Sequence, residues 1–350
     1  MKKVLALLIS FFVLVVSSMF LYGYYFITTA VSDSSEELVF EVKPGAFYQT
    51  ANKLEAQKLI SNSQLFTLYA RLRGDVTNIK VGEFLLSKNN SPQEILNKLI
   101  SSDYVKYQVT IPEGYNIFEV AKIVENQGLV NSKEFLNVAR NKDLATKTIG
   151  VDVPSFEGFL FPETYSFSKT ESAEQMVLAM YAQFKKNYEK VLAENNDLNM
   201  SKLKHIVLAS MIEKETGAAF ERPVISSVFH NRLKKRMRLQ SDPTILYGIM
   251  MEDGVWLKNI RRKDIRRSTD YNTYTIASLP PAPIANPGIE SIRAALNPDD
   301  TPYFYFVSQN DGTHVFTKTY KEHTNAVRKY QLNQGARKGK SWRDLKNKHK

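Results

Sequence analysis

The sequence predicts an α+β protein in three parts: an N-terminal transmembrane helix, a small α/β subdomain and a larger mixed α+β domain. Three observations predict it. Val4–Ala30 carries no charge and exceeds the roughly 20 residues that a helix needs to cross a bilayer. Residues 38–143 hold a repeated strand–turn–helix–helix pattern, and residues 151–335 hold long stretches of helical periodicity followed by an aromatic strand and a turn. With 350 residues, 43% of them hydrophobic and 24% charged, the chain has the balance of a globular protein and the length for two folded domains.

The first part is residues 1–31, a short tip and an anchor. Lys2 and Lys3 precede the apolar run, which places the N-terminus in the cytoplasm by the positive-inside rule. Tyr22, Tyr24 and Tyr25 near the far end suit an interfacial aromatic belt. A cleaved signal peptide has a shorter apolar region, about 7–15 residues, ending at small residues, so an uncleaved single-pass anchor is expected. Ser32–Glu37 reads as a polar linker, and the chain after about Val31 is expected on the periplasmic or extracytoplasmic side of the membrane.

In residues 38–143, Phe40–Val42 followed by Pro44-Gly45 reads as a strand and a turn. Val109–Ile111 followed by Pro112-Glu113-Gly114 reads the same way. Ala51–Phe66 aligns without gaps on Ala121–Leu136, so that Ala51, Glu55, Gln57 and Leu59 recur as Ala121, Glu125, Gln127 and Leu129. Each copy is a helix, a break at Ser61-Asn62 or Asn131-Ser132, and a second helix. Between them lie a strand over Ile79–Leu86 and a helix over Ser91–Leu99, capped by Ser91 with Pro92 in its first turn. Phe47, Tyr48 and Tyr115 follow the two turns and are either core or sugar-contacting aromatics.

Residues 151–335 carry the chemistry. Ala173–Glu194 reads as an amphipathic helix with Val177, Met180, Tyr181, Phe184 and Tyr188 inward. A second helix runs from Ser201 as N-cap to Gly217 as stop, and Leu203, Ile206, Ser210, Glu213 and Gly217 share one face. Glu213 thus continues an apolar line. A carboxyl partly buried there is pushed toward its protonated form, which general-acid catalysis requires. The competing reading is a solvated surface glutamate; Glu215 and Glu221 read as surface or capping residues. Pro223 opens a third helix to about Lys235, in which His230 reads as packed or hydrogen-bonded.

The substrate-binding candidates come from the loops. Glu163 and Tyr165 lie in an aromatic stretch, Phe156–Tyr165, that also holds Glu157. Gln240, Asp242 and Thr244 form a polar cluster at a proline-marked turn after the basic run Lys234–Arg238. Asn272 and Tyr274 follow, and Pro280–Pro287 fixes an extended loop that reads as a rigid cleft wall. Tyr303–Val307 reads as a buried strand, paired through a turn at Asn310-Asp311-Gly312 with His314–Thr317. His314 is a polar candidate, while the histidines are too scattered for a metal motif, and no cofactor or metal is expected. With no cysteine, thiol nucleophiles, disulfides and thiolate metal sites are excluded. The net charge of +11 fits nucleic acid, lipid headgroups or acidic wall polymers, but the basic residues are dispersed rather than set on one recognition helix, so nucleic acid is not an expected partner. Residues 336–350 form a basic tail suited to anionic headgroups or wall polymers.

Several long motifs then stand in order. They are FEGFLFPETY at Phe156–Tyr165, LASMIEKETG at Leu208–Gly217, ERPVISSVFHNRL at Glu221–Leu233 and MRLQSDPTILYG at Met237–Gly248. After them come YNTYTIASLPPAPIANPG at Tyr271–Gly288, IRAALNP at Ile292–Pro298 and YFYFVSQNDGTHVFTKTYKEH at Tyr303–His323. The chain beyond its anchor resembles the membrane-anchored endolytic murein transglycosylases, the MltG or YceG-like family. The resemblance implies a LysM-like glycan-binding region at 38–143, for which a plain spacer is the alternative, and a catalytic domain at 151–335. It implies a bacterial plasma (inner) membrane location and peptidoglycan strands as substrate, with wall synthases as partners. The glutamate matching Glu213 is the family's catalytic acid. Ala282 stands where a glycine is common, and Thr269-Asp270 where Ser-Pro is common, which touches loop geometry only.

The resemblance implies cleavage of the β-1,4 bond between N-acetylmuramic acid and N-acetylglucosamine within a strand, without water, leaving a 1,6-anhydro end and limiting strand length. A hydrolase would need a second carboxylate, about 5–9 Å from the first, and Asp242 or Glu163 is the candidate. A non-catalytic scaffold that positions synthases is the other alternative.

Overall fold

The computed structural model describes residues 2–194 and 200–333. The basic tail expected at 336–350 lies outside them. The chain forms two compact units, one of residues up to Tyr107 with Ser166–Glu171, the other of Gln108–Tyr165 and the residues from Ser172 onward. This division falls inside the segment 38–143 that the sequence presents as one region.

The first unit begins with α1 (Lys2–Thr28), a single apolar helix. Among its described residues only Phe26 is buried; Leu7, Phe11, Phe12, Leu14, Phe20 and Leu21 are each more than 60% exposed. Leaving such side chains in water costs about 1.5–3 kcal/mol each, and the helix is long and apolar enough to cross a membrane. Then follow β1 (Glu37–Val42), α2 (Phe47–Ala56), α3 (Ser63–Arg73), β2 (Gly82–Ser87) and α4 (Pro92–Ile100). β1 and β2 pair antiparallel, with Phe40 opposite Phe84 and Val42 opposite Gly82. Alternation turns Phe40, Val42, Phe84 and Leu86 inward, where they meet Leu54, Phe66, Leu96 and Leu99. Ser91 and Glu94 form a capping box that starts α4 at Pro92, as the sequence predicts.

The chain leaves this unit along β3 (Tyr107–Thr110), which pairs with β4 (Thr164–Phe167). Between them come α5 (Ile117–Asn126), α6 (Ser132–Ala139) and α7 (Lys142–Ile149). The repeat holds as helix–break–helix, with Ala51 and Leu54 answered by Ala121 and Val124 in the two cores. The second helix starts one residue earlier in the second copy, because Asn131 caps α6 where Asn62 caps α3.

After β4 come α8 (Ala173–Ala193), α9 (Lys202–Glu215), α10 (Arg222–Lys234), α11 (Asp242–Asp253), α12 (Arg262–Arg266) and α13 (Ile289–Leu296). The hairpin β5 (Tyr305–Ser308) and β6 (His314–Thr317) and the helix α14 (Tyr320–Val327) close the unit. The sequence draws α9 as one-faced. The structure buries it all round instead, with His205 through Ile212 consecutively inaccessible, because α13, α10 and α11 pack against it. His205 fits this core by donating and accepting toward Tyr188 Oη (3.1 Å) and the Ile292 carbonyl (2.9 Å). Burial lowers its pKa to about 4, so it is neutral. The strand expected at Tyr303 starts two residues later and is half-buried.

Candidate active site

Glu213 stands near the C-terminus of α9, one turn after Ser210. Its side chain is 6% exposed. Two groups hold the carboxylate: the Gly288 N–H donates to Oε2 at 3.0 Å, and Arg222 Nη2 reaches Oε1 at 3.3 Å. The same Nη2 lies 3.3 Å from Glu113 Oε2. One guanidinium thus serves two carboxylates.

Two loops bring these groups together. Gly114 N–H donates to the Asn286 carbonyl and Asn286 N–H to the Tyr115 carbonyl, both at 2.9 Å. The Asn286 side chain accepts from Leu160 N–H at 3.0 Å and donates to the Tyr115 carbonyl at 2.9 Å. Ser210 Oγ accepts from Ile284 N–H at 3.1 Å, which fastens the proline-rich loop to α9. That loop spans Pro280–Pro287, with Ala282, Ile284, Ala285 and Asn286 buried. Gly114 has φ +75, and a Cβ there would sit 3.4 Å from Glu213 Cγ. At Gly288 a Cβ would overlap the Glu113 carboxylate. The two glycines let backbone approach the acid from both sides.

Beneath the loops, Glu157 is 1% exposed and accepts from Ile117 N–H and from Tyr247 Oη at 2.9 Å. Burial pushes its carboxyl up to about 8, so it is protonated at neutral pH. Glu113 is raised as well, first by burial and then by the charge of Glu213.

The acidic neighbours expected at the surface are not there. Glu215 is shielded by burial, which raises it to about 7, and it accepts from Ser241 Oγ. Glu221 is 4% exposed and pairs with His314, whose Nδ1 is 2.7 Å from Oε2 and whose N–H donates to Oε1 at 2.8 Å. This pair ties β6 to the residue next to Arg222, because the turn after α9 folds Glu221 under the hairpin.

The other sequence candidates fall into distinct places. Gln240 is exposed, in the left-handed region at φ 51. Asp242 is exposed and accepts from Tyr274 Oη at 2.7 Å. Thr244 is fully buried, bonded to the Ser241 carbonyl and to Thr273. Asn272 is fully buried and donates to the carbonyls of Ile265 and Arg267. Glu163 accepts from Gln183, and Tyr165 Oη donates to the Phe161 carbonyl at 2.6 Å. Glu213 is therefore joined not to Asp242 or Glu163 but to Glu113. In sequence Glu113 is only the middle of a Pro-Glu-Gly turn, an ordinary signal, and Arg222 is one of many basic residues. Among the described residues no group of three acidic, His or Cys side chains is arranged to hold a metal.

Residues 40–329 match the YceG-like family. A Bacillus subtilis (strain 168) protein named endolytic murein transglycosylase is 32% identical over 333 residues, 91% of each chain. A Streptococcus pneumoniae (strain D39) protein of the same name is 26% identical, over 93% of this chain and 65% of its own. The crystal structure of a YceG-like protein from Listeria monocytogenes matches with a TM-score of 0.57 and 32% identity, over 84% of this chain and all of that one.

Proposed function

Because the chain belongs to the YceG-like family, we propose that it is an endolytic murein transglycosylase whose catalytic acid is Glu213. The observation that carries the site assignment is the grip on Glu213 by Gly288 N–H and Arg222.

Glu213, protonated, gives its proton to the glycosidic oxygen as the C1–O bond of the muramoyl residue breaks. The carboxylate so formed is stabilised by Gly288 N–H and Arg222, which already point at it. It then takes the proton of the muramoyl C6 hydroxyl as that oxygen bonds to C1. A 1,6-anhydro end results, and no water is consumed. One carboxyl acts twice because the second nucleophile is part of the substrate.

Glu113 has a supporting part. When Glu213 carries its proton, a nearly buried Arg222 would face no anion, at a cost of several kcal/mol. Glu113 is the anion that remains. Thr244 and Asn272 hold the Ser241 and Thr273 loops in place, and the exposed Gln240 and Asp242, with the half-buried Tyr274, are the groups left to meet sugar.

The β1–α2–α3–β2 arrangement supports a LysM-like reading of the first unit. Its groove, a cavity of about 550 Å³ lined by Lys43, Phe47, Tyr48, Thr67, Arg71 and Thr77, is the place for a glycan. α1 supports a single-pass anchor, cytoplasmic at Lys2 and Lys3, with the folded units outside the plasma membrane. Nascent strands, and the synthases that make them, are then within reach, and cleavage there ends strand growth.

The test is the full-length protein in detergent with isolated glycan strands, with products weighed by mass spectrometry. Internal fragments ending in 1,6-anhydromuramic acid, absent with Glu213→Gln, are expected. Products one water heavier would mean a hydrolase, with Glu113 the first carboxylate to replace. No cleavage at all would favour the scaffold.

A further inference from the structure

Among the described residues, the unit that follows the anchor carries an apolar face without protein cover. Leu68 and Leu72 of α3 are 52% and 80% exposed, one turn apart on the same side. With Leu65 and Tyr69 they form one wall of a cavity of about 550 Å³. The other wall is α1 itself, through Met19, Phe20, Tyr22, Gly23, Tyr24 and Ile27. The groove is nearly free of polar surface, and large exposed apolar patches mark an interaction site.

The length of α1 says what level this groove occupies. Its 27 residues rise about 40 Å, against a hydrocarbon core of about 30 Å. Counted from Val4, just past Lys2 and Lys3, the core ends near Gly23. Phe26 and Ile27 project beyond it and pack into the folded unit. Met19 and Phe20 lie below that limit, at the level of acyl chains, so the groove they share with α3 begins within the hydrocarbon and runs past its edge to Tyr24 and Ile27. Arg71, exposed and one turn from Leu68, sets a cation beside the apolar edge, as interfacial helices do.

We propose that the Leu65–Leu68–Leu72 edge of α3 sinks into the outer leaflet against α1, so that acyl chains fill this groove and the first unit lies on the bilayer instead of standing clear of it. A simple tether would leave these leucines in water. The proposal rests on α1 being an uncleaved anchor and is independent of the chemistry at Glu213.

The chain has no cysteine, so single labels are clean. Leu68→Cys and Leu72→Cys, each in the full chain, are labelled with an environment-sensitive fluorophore in phosphatidylglycerol/phosphatidylethanolamine vesicles. Both side chains are exposed, so neither change opens a core cavity. The vesicles are first washed with alkaline carbonate, which retains spanning proteins. Emission is expected to shift to the blue, to resist aqueous iodide and to fall by about half when lipids carry a nitroxide near the glycerol. Quenching by iodide without quenching by nitroxide lipid overturns the proposal. Protection from both would show protein in the groove, a second copy or another helix, and overturns it equally. Release by the wash would sink the anchor and this docking together, while a failure of the labels alone leaves the anchor standing.

Discussion

Arg222 reaches Glu213 at 3.3 Å with the same nitrogen that reaches Glu113 at 3.3 Å, so the acid never has sole claim on its cation. Removing Glu113 ends that sharing. In Glu113→Gln the arginine has only Glu213 as an anion, and protonating Glu213 then strands a buried charge. Cleavage at neutral pH is expected to fall about 10- to 100-fold, with the pH optimum moved to the acid side. A rate–pH profile on glycan strands reads both. An unmoved optimum would leave Glu113 a merely structural residue.

Gly288 offers its N–H to Glu213 and has no room for a side chain, because a Cβ there meets the Glu113 carboxylate. Gly288→Ala is expected to displace the donor or Glu113 and to lower turnover about 100-fold. Thermal unfolding should change little, since the position has an ordinary negative φ (−72). Gly114→Ala, by contrast, should lose stability too, because φ is +75 there.

Glu157 makes stability fall as pH rises from about 4.5 to about 8. Its ordinary value is 4.5 and its folded value about 8, so it holds a proton in the fold that the unfolded chain gives up. Its contribution is full below about pH 4.5 and is lost as pH rises through 8. Across that window the loss is on the order of a few kcal/mol. Glu157→Gln should leave the melting temperature near that of the parent at pH 5 and above it at pH 8.5. Equal slopes of melting temperature against pH in the two proteins would contradict this.

Ser210→Ala removes the acceptor for a buried Ile284 N–H. An unmatched buried donor costs about 1–3 kcal/mol, a drop of a few degrees in melting temperature. Because the same bond fixes the loop bearing Gly288, activity should fall further than stability explains. Assay at a temperature where the variant is fully folded separates the two.

Much of this was legible in the residues themselves. Ser91-Pro92 and Asn62 announce helix starts by local hydrogen bonding, and the structure uses them so. The repeat was visible because the first helix of each copy buries the same positions, Ala51 and Leu54 in one and Ala121 and Val124 in the other. What the residues could not announce were contacts made across long gaps in the chain. Glu113 and Glu213 are 100 positions apart, and Asn286 meets Tyr115 across 171. Glu215 and Glu221 looked like surface because helical periodicity describes one helix, not the hairpin and loops that fold over its end. Thr244 and Asn272 looked like sugar contacts for the related reason that a polar residue in a loop can face inward to hold the loop.

The all-round burial of α9 also determines how the site moves. Amides from His205 to Ile212 have no route to solvent short of unfolding the unit, so their hydrogen exchange should follow global stability. The groups that face Glu213 come from the turns at Glu113 and Gly288 and from Arg222 of α10. Gly114 and Asn286 bind the two turns to each other, and Ser210 binds the second to α9. The surroundings of Glu213 are thus tied to the slowest-opening helix of the unit, and the amides of Gly114 and Asn286 should exchange nearly as slowly as those of α9.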